Sequence, residues 1–399
     1  MGAIDIAIAG CGPAGLAAAL LLHRDGHRVR LFERFAAPRP IGSGIILQPT
    51  GQAVLAALGL APAALSAGAK VTRLLGRAGV AGPVVLDVRY AALGARAGFG
   101  LGMHRAALFD ILFSAVRTAG IDIETDRTIV GRSADTRPRL KFSGGGESAA
   151  FDLIVDALGA GTALAPPTGR ALAYGALWAS LDWPDASALN AEALEQRYVR
   201  ASVMAGVLPI GRAPGSARPQ AALFWSLRAD QLEAWRAAGL AAWKDEIARL
   251  WPSTEPLLAQ IGDAEQLTFA RYAHRTLATP VEPGMAHIGD AWHSTSPQLG
   301  QGANMALLDA YALAKAMRDR ADLSAALGRY VSLRRRHVRL YQGMSRLFTP
   351  VYQSDDRLLP FVRDRLVGPI STLWPATAIQ AGMVSGLIGG PLARLGLAG

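Results

Sequence analysis

The apolar positions of this chain fall into patterns that alternate between strand and helix. Residues 4–9 form a short, mostly apolar run, and an Ala/Leu-rich stretch follows over residues 16–23. The first pattern is typical of a strand buried on both faces of a parallel sheet, and the second is typical of a helix. Related patterns predict strands at residues 28–32, 121–124, 151–157 and 286–290 and a helix over residues 302–317. Strands that alternate with helices predict an α/β fold with a Rossmann-like domain.

A second group of segments, in the middle of the chain, predicts an inserted antiparallel sheet. The group consists of strands at residues 172–181, 197–208 and 221–227, a hairpin loop at residues 211–219, and a helix within residues 243–261 interrupted near Pro252. We therefore predict a nucleotide-binding domain from residues 1–70, 101–170 and 275–330, a substrate domain from residues 71–100 and 171–274, and a C-terminal helical segment from residues 331–399.

The composition fits a folded enzyme with two domains. Of the 399 residues, 51% are hydrophobic and 18% are charged, which is ample for burial and excludes a disordered chain. Cys11 is the single cysteine, so the chain has neither an internal disulfide nor the dithiol of a disulfide-type flavin reductase. The seven histidines do not show metal-ligand spacing, so no metal site is predicted.

The net charge of +10 raises the question of an anionic partner. The densest basic run, residues 334–339, lies on a predicted helix and lacks the interleaved aromatic residues that bind single-stranded nucleic acid. We predict a solvated helix face and no nucleic-acid partner. Attraction of an anionic substrate or an anionic lipid stays open.

The turn between the first strand and the first helix carries the first chemical signal. Gly10 allows a tight turn, Gly12 lets the backbone approach a pyrophosphate, and Gly15 lets helix and strand pack closely. The helix begins near Pro13 and Ala14 and aims its free N–H groups at the phosphates. Glu33 follows the second strand about 20 residues on, where its carboxylate can bind ribose hydroxyls, and Arg34 comes next. These residues together predict a dinucleotide site.

A second signal lies far downstream and distinguishes an FAD site from an NAD site. Asp290 ends a predicted strand, where it can hydrogen-bond the ribityl chain of a flavin. The helix that begins at Gly302 can direct backbone N–H groups and its dipole at the flavin ring. The alternative is that Asp290 caps a helix and the neighbouring glycines form an ordinary loop.

These positions match a known pattern in order and spacing. The pattern comprises residues 10–15, Glu33-Arg34, residues 41–45 with Gln48-Pro49, Arg105, and residues 289–304 with Asp309. Over residues 1–345 it resembles the class A FAD-dependent monooxygenases, the p-hydroxybenzoate hydroxylase family. The resemblance implies that Glu33 holds the adenosine ribose, Arg105 contacts the phosphate region of FAD and Asp290 binds its flavin side. It also implies FAD contacts at Gly44, Gly300, Gly302, Ala303 and Asn304.

The resemblance implies a chemistry as well. NADPH or NADH reduces the FAD, O2 is captured as a flavin hydroperoxide, and one oxygen atom is transferred to an aromatic or polycyclic hydrophobic substrate. Pro297 is expected beside the flavin ring and near that substrate. His293 is a candidate general base, with a structural, hydrogen-bonded histidine as the alternative. The candidate substrate wall is Trp178, Tyr198, Met204, Phe224 and Trp225, of which strand alternation directs only about half toward one face.

One departure from the family pattern leaves alternatives open. Leu158 stands where the family has the aspartate of an Asp-Gly pair linked to FAD pyrophosphate and NAD(P)H use. Asp156 lies two residues earlier, about 6.6 Å away along a strand, which is too far to replace one hydrogen bond. A flavin oxidase or dehydrogenase, or a non-catalytic FAD-fold binding protein, therefore stays open. A halogenase is disfavoured because its Trp-x-Trp-x-Ile-Pro motif is missing, and residues 178–184 have the wrong spacing.

The two ends of the chain bear on location. The N-terminus lacks a basic leader, so a cytoplasmic protein is expected, as a monomer or homodimer. Residues 378–399 have spaced glycines, but Pro391 and Arg394 argue against a spanning helix. Residues 347–390 loosely resemble the tails of ubiquinone-pathway hydroxylases. A weak contact with a membrane surface stays open.

Overall fold

A computed structural model describes residues 2–39, 43–96, 98–371 and 373–397. Ile41 and Gly42 of the predicted loop lie outside these ranges. The strands are β1 (Asp5–Ala9), β2 (Arg28–Phe32), β3 (Gly44–Leu47), β4 (Ala69–Val71), β5 (Arg73–Ala78), β6 (Val84–Arg89), β7 (Gly100–His104), β8 (Asp122–Glu124), β9 (Ile129–Arg132), β10 (Leu140–Phe142), β11 (Leu153–Asp156), β12 (Arg170–Asp182), β13 (Ala193–Val199), β14 (Val203–Gly211), β15 (Gln220–Arg228), β16 (Thr268–Thr276), β17 (Val281–Glu282), β18 (Met285–His287) and β19 (His293–Ser294). The helices are α1 (Pro13–Arg24), α2 (Pro49–Ala57), α3 (Ala61–Ala67), α4 (Arg105–Thr118), α5 (Leu232–Ala238), α6 (Leu240–Leu250), α7 (Glu255–Leu258), α8 (Gly302–Asp319), α9 (Leu323–Tyr352), α10 (Leu358–Val362), α11 (Gly368–Ser371), α12 (Ala376–Val384) and α13 (Pro391–Leu395).

The first sheet contains the predicted nucleotide-binding strands. Its order is β17-β18-β11-β1-β2-β8, and β1 pairs in parallel with both β2 and β11. Ile8 of β1 lies opposite Leu31 and Val155 and is fully buried, as expected for a central parallel strand. The predicted Rossmann-like fold is confirmed. Because these strands are parallel, their carboxyl ends meet at one edge, where nucleotides bind in such folds.

The second sheet is the predicted insertion. Its order is β19-β16-β12-β15-β14-β13-β5-β6, and among the described strands of this sheet only β5 and β13 pair in parallel. On β12 and β15, Leu177 lies opposite Trp225 and Trp178 lies opposite Phe224. Leu177 and Trp225 pack with Trp243 of α6, which defines an outer face. Trp178 and Phe224 point the other way, and this inner face packs toward β3.

One predicted strand is two strands in the structure. Residues 197–208, predicted as continuous, are split between β13 and β14, which pair antiparallel as a hairpin. The chain reverses around Arg200, which has a φ of +56°. The turn contains no Gly, Pro, Asn or Asp, and Ser202 is its one residue of a type common in turns.

The C-terminal region folds back over both sheets. α9 packs along α8, and α12 packs against β6. The Tyr341 hydroxyl on α9 donates to the carbonyl oxygen of Met383, and the amide of Gln301 donates to the carbonyl oxygen of Val384. The end of α12 is thereby held against the residues that precede α8. In the part of the chain that the structure describes, each helix is too short or too polar to cross a bilayer.

Candidate functional site

The first glycine turn is shaped by close approaches of the backbone. Gly10 has a φ of +105°, and a Cβ atom there would lie 2.7 Å from the carbonyl oxygen of Ala157. A Cβ on Gly15 would lie 2.0 Å from the carbonyl oxygen of Gly10. Both positions therefore require glycine. A Cβ on Gly12 would meet nothing within 4 Å, so this side of the turn is open to a ligand.

Helix α1 starts at this open side. Pro13 occupies its first turn, where a missing N–H group costs nothing, and Ala14 and Gly15 follow. The N–H groups of a first helical turn have no acceptor within the helix, and the dipole places partial positive charge there. The turn is suited to hold an anionic group such as a pyrophosphate.

Glu33 is fixed beside the turn by backbone donors. Its Oε2 accepts a hydrogen bond from the N–H of Cys11 at 3.0 Å, and its Oε1 accepts from the N–H of Phe35 at 3.1 Å. The carboxylate is thus oriented at the end of β2, where the ribose contact was predicted. Burial and the nearby Glu33 charge raise the pKa of Cys11 to about 12, so this thiol stays protonated. Arg34 is exposed and stacks on the Phe35 ring at 4.6 Å.

The downstream motif meets the same turn. Gly289 has a φ of +58°, and a Cβ atom there would lie 3.1 Å from the Cβ of Ala306 and 3.3 Å from the Cβ of Ala14. The short turn Gly289–Ala291 is therefore wedged between the first turns of α1 and α8. Segments almost 280 positions apart in the sequence converge on one cleft, as the two motifs predicted.

Asp290 and Arg105 lie beside this cleft, close enough for their charges to interact. Part of each residue is exposed, but dense protein surrounds both charged groups. This burial raises the pKa of Asp290, and the positive charge of Arg105 opposes the shift. Burial lowers the pKa of Arg105, while Asp290 and Tyr272 oppose that shift. Arg105 begins α4, and its N–H donates to the carbonyl oxygen of Ser43 at 2.8 Å.

The start of α8 forms another wall of the cleft. The single turn Pro297–Leu299 leads to Gly300, which has a φ of +61° and is held against Ile46. Gly302 is exposed, and a Cβ atom there would meet nothing within 4 Å. Gly302 and Ala303 thus present backbone N–H groups at the open start of the helix.

Asn304 and Gly44 have structural reasons for their identities. The Oδ1 of Asn304 accepts from the N–H of Gln48 at 2.8 Å, and its Nδ2 donates to the carbonyl oxygen of Gly300 at 2.9 Å. A Cβ on Gly44 would lie 2.6 Å from the Cβ of Ala222, so glycine lets β3 pack on the inner face. Cofactor contacts by the Asn304 side chain and by Gly44 stay predictions.

His293 belongs to a buried charged network. Its Nε2 donates to Oδ2 of Asp309 at 2.7 Å, and Asp309 also accepts from the Gly289 N–H at 2.9 Å and from Nε of Arg334 at 2.7 Å. Burial would raise the pKa of Asp309, but the charges of His293 and Arg334 outweigh it and lower that pKa. The geometry favours the structural alternative for His293. Its catalytic role stays a prediction.

The basic run at residues 334–339 is only partly solvated, and the prediction of a solvated face was wrong for two members. Arg334 and His337 are buried, whereas Arg335, Arg336 and Arg339 are exposed. Positions three apart share one face of α9, and that face packs on α8. Sequence reasoning missed Arg334 because the run was judged by composition rather than by helical spacing.

The predicted substrate wall separates into three groups. Trp225 lies on the outer face, in the core with α6, and so points away from the cleft. Tyr198, Met204 and Phe224 pack together on the inner face and are each at most 5% exposed, so they support the wall from behind. Trp178 is half-buried, and its Nε1 donates to the hydroxyl of Tyr272 at 2.9 Å.

Tyr272 was missed by sequence reasoning. It lies on β16 close enough to Arg105 for their charges to interact, which places it at the cleft. Burial raises the pKa of Tyr272 to about 12, so its hydroxyl is protonated at neutral pH. The surrounding strand sequence has no motif that marks it.

Leu158 lies beside the Gly10 turn and places an apolar side chain where the family pattern has an aspartate. Its N–H donates to Oδ1 of Asp156 at 3.0 Å, and its side chain packs on the core under β1. Oδ2 of Asp156 accepts from the Thr162 hydroxyl at 2.7 Å and lies 2.7 Å from Nδ1 of His287. Asp156 is therefore fully engaged inside the protein and does not substitute for the missing aspartate.

This chain is similar to known proteins in both sequence and structure. The model of a family described as an FAD binding domain matches residues 3–149 and 198–341. An FAD-dependent urate hydroxylase of Mycolicibacterium vanbaalenii is 26% identical over 98% of both chains. A 2-heptyl-3-hydroxy-4(1H)-quinolone synthase of Mycobacteroides abscessus is 27% identical over 81% of this chain and 84% of that protein. The crystal structure of Klebsiella pneumoniae HpxO with FAD and uric acid superposes with a TM-score of 0.79 at 20% identity, covering 98% of each chain.

Proposed function

This chain belongs to the FAD binding domain family, and we propose that it acts as a monooxygenase on a nitrogen-heteroaromatic small molecule that carries oxo or hydroxyl groups on its ring. The expected resemblance to the class A FAD-dependent monooxygenases is confirmed, as is FAD as the cofactor. An enzyme of this kind transfers one oxygen atom of O2 to its substrate. Cytoplasmic location and a monomeric or homodimeric state stay predictions from the sequence.

One observation carries the proposal. The first turn of α1, the turn Gly289–Ala291 and the first turn of α8 touch one another around a cleft, with Glu33 and Asp290 as separate polar contacts. The open sides of Gly12 and Gly302 fit a long ligand with a pyrophosphate and a flat ring system, as FAD has. When bound, FAD supplies the oxygen-transfer chemistry, so the protein needs neither a metal nor a nucleophile of its own.

Tyr272 and Trp178 supply polar recognition of the substrate. A tryptophan indole can only donate, so the Trp178 contact uses an acceptor lone pair of the Tyr272 oxygen and leaves its O–H free to donate. Arg105 adds positive charge nearby. A donor, a cation and an aromatic surface together favour a flat ring with an oxygen acceptor or a partial negative charge. The names of the two relatives describe such compounds, urate and a quinolone.

Leu158 favours a second candidate function. A flavoprotein whose FAD is reduced by something other than NADPH or NADH would need no aspartate at this position. An oxidase or dehydrogenase that takes electrons from its own substrate belongs to this class. The indole ring of Trp178 and the hydroxyl donor of Tyr272 would bind the same class of substrate in an oxidase or dehydrogenase as in a monooxygenase.

Substrate-dependent oxygen incorporation tests the proposal. The FAD-loaded protein is incubated with urate, 4-quinolones and related oxo-heteroaromatics under 18O2, with NADPH, with NADH, or after photoreduction. We expect that at least one compound gives a product with a single added 18O atom. Oxidation of NADPH or NADH should be faster when that compound is present. Substrate oxidation without 18O incorporation would favour the oxidase or dehydrogenase. Hydrogen peroxide as the only product under all three modes of reduction would overturn the proposed function.

A further inference from the structure

Large exposed apolar side chains concentrate near the C-terminus. Seven of them fall within residues 347–379, and the most exposed is Trp374 at 83%. Five of the seven lie on α10, α11 and the residues just after α11. We call these five the C-terminal apolar face: Leu358, Phe361, Ile370, Leu373 and Trp374. Clusters of this kind on a protein surface mark sites of interaction.

The helical stretch that carries this face has inverted polarity. Its inward side holds Pro360, Arg363 and Ser371, all buried, while leucine, phenylalanine and isoleucine point outward. A surface helix normally buries its apolar side and exposes its charges. The inversion means that the apolar side chains are available to a partner outside the chain.

Arg363 holds the stretch in this orientation. Its guanidinium donates to Asp364 at 2.7 Å, to the carbonyl oxygen of Val351 at 3.1 Å and to the carbonyl oxygen of Arg200 at 3.0 Å. It also lies 4.9 Å from the centre of the Tyr198 ring and 5.3 Å from that of Tyr352. With a hydrogen bond on each guanidinium nitrogen and two aromatic rings nearby, Arg363 anchors the inward side.

The charges around the face favour an anionic partner. Asp364 is paired with Arg363, Asp355 with Arg228, and the Asp356 carboxylate accepts from the N–H groups of Leu358 and Leu359 at 2.7 Å. Arg357 and Arg365 are exposed. Two of the three nearby carboxylates are thus paired with internal arginines and the third caps α10, while Arg357 and Arg365 remain exposed to solvent, in a chain of net charge +10.

The shape and chemistry of the face fit a lipid surface better than a second copy. Two copies that met face to face would bring their arginines together, which is unfavourable. A lipid surface with acidic headgroups pairs with arginines and accepts tryptophan and phenylalanine at its boundary. We propose that the C-terminal apolar face docks this enzyme onto anionic membranes, with its side chains inserted at the headgroup boundary and no helix spanning the bilayer.

Vesicle binding tests this proposal with the full-length, FAD-loaded protein. It is sedimented with vesicles of phosphatidylcholine alone or mixed with phosphatidylglycerol. We expect roughly tenfold or stronger binding to the mixed vesicles, weakened by high salt, because each arginine near an anionic surface contributes about 1 kcal/mol. Phe361→Glu with Trp374→Glu should abolish binding, and Arg357→Gln with Arg365→Gln should reduce the preference for the anionic lipid.

The control replaces exposed apolar residues elsewhere. Leu65 and Val130 are 49% and 51% exposed and lie far along the chain from the face. Leu65→Glu with Val130→Glu should bind vesicles like the wild type. Flavin absorbance and circular dichroism verify that each variant is folded. The proposal is overturned if the wild type ignores anionic vesicles, if the Phe361/Trp374 variant still binds them, or if these changes only split a stable dimer.

Discussion

Leu158 sets the expected response of the enzyme to nicotinamides. An apolar side chain beside the Gly10 turn can neither hydrogen-bond a cofactor nor stabilise the positive charge that develops on the nicotinamide ring as it gives up a hydride, and Asp156 is engaged elsewhere. We predict slow reduction of the bound FAD by NADPH and NADH. Leu158→Asp should accelerate it at least about tenfold, the effect of one interaction of 1.4 kcal/mol. Anaerobic stopped-flow absorbance measures the rate.

Leu158→Asn is the matched control, because asparagine has the shape of aspartate without its charge. It should accelerate reduction less than the aspartate does. If the aspartate variant binds FAD normally and reacts no faster than the wild type, Leu158 is not the cause of slow reduction. Fast reduction of the FAD in the wild-type protein by NADPH or NADH would contradict the predicted slow reduction itself.

Tyr272 is expected to govern substrate affinity. Tyr272→Phe removes the free O–H donor while keeping the ring, so a buried substrate oxygen loses about 1–1.5 kcal/mol. For the substrate identified by 18O incorporation, KM should rise about tenfold with a smaller change in kcat. Tyr174→Phe is the control, because the hydroxyl of Tyr174 is already engaged by Asp355 and is not free to bind a substrate. Equal KM values for both variants would argue against substrate recognition by Tyr272.

The residues of the site differ in how far the sequence predicts them. Gly10, Gly15, Glu33 and Asp290 lie in or next to the turns that follow strands, so the local sequence pattern was sufficient to propose them. Tyr272 is oriented by Trp178, which is 94 positions away, and no local pattern encodes that distance. Strand alternation separated Trp225 from Trp178, but it did not reveal how deeply the other aromatic residues are buried.

At the scale of elements, α8 and α9 are joined by a network that responds to pH. An arginine only donates, so Nδ1 of His337 accepts from Arg334 at 2.9 Å and its Nε2–H donates to the carbonyl oxygen of Gly386 at 3.1 Å. Burial and the Arg334 charge lower the pKa of His337 from 6.5 to about 3. His337 is therefore neutral in the folded protein at neutral and mildly acidic pH.

The sign of the resulting pH dependence follows from this lowered pKa. Below pH 6.5 the unfolded chain binds a proton at His337 that the folded protein does not bind, so stability falls as pH decreases toward 3. Between pH 8 and pH 5 this residue removes roughly 2 kcal/mol from the free energy of unfolding. His337→Asn should lose about 2 kcal/mol less than the wild type over that interval.

Urea unfolding at the two pH values measures this difference. The exposed residue His23 provides a control, since His23→Asn leaves the network intact. The interpretation fails if His337→Asn and the wild type lose the same stability between pH 8 and pH 5.

Elements with glycine or proline at their boundaries were predictable from the sequence. β1, α1 and β2 are bounded by glycines and a proline, and α8 begins at a glycine after a proline turn. The β13–β14 hairpin was not predictable, because the turn at Arg200 has only Ser202 as a turn residue and the apolar pattern continues through it.

At the scale of the whole molecule, the fold class could be predicted because the cofactor motifs follow strands of a Rossmann-like sheet near the start of the chain and far downstream. The path of the C-terminal region could not. Its position depends on contacts such as Gln301 with Val384 and Arg363 with Arg200, which join distant segments without a motif. Polar side chains buried by tertiary packing fix that path.

The central claim is that one FAD lies in the cleft between the α1 turn and the start of α8. The most direct measurement is the flavin content of the purified protein, by absorbance and by mass spectrometry of the released cofactor, followed by titration with FAD. The account predicts one FAD per chain, and markedly weaker binding by Gly12→Val, whose side chain would enter the open side of the turn. A folded, colourless protein that takes up no FAD would contradict it.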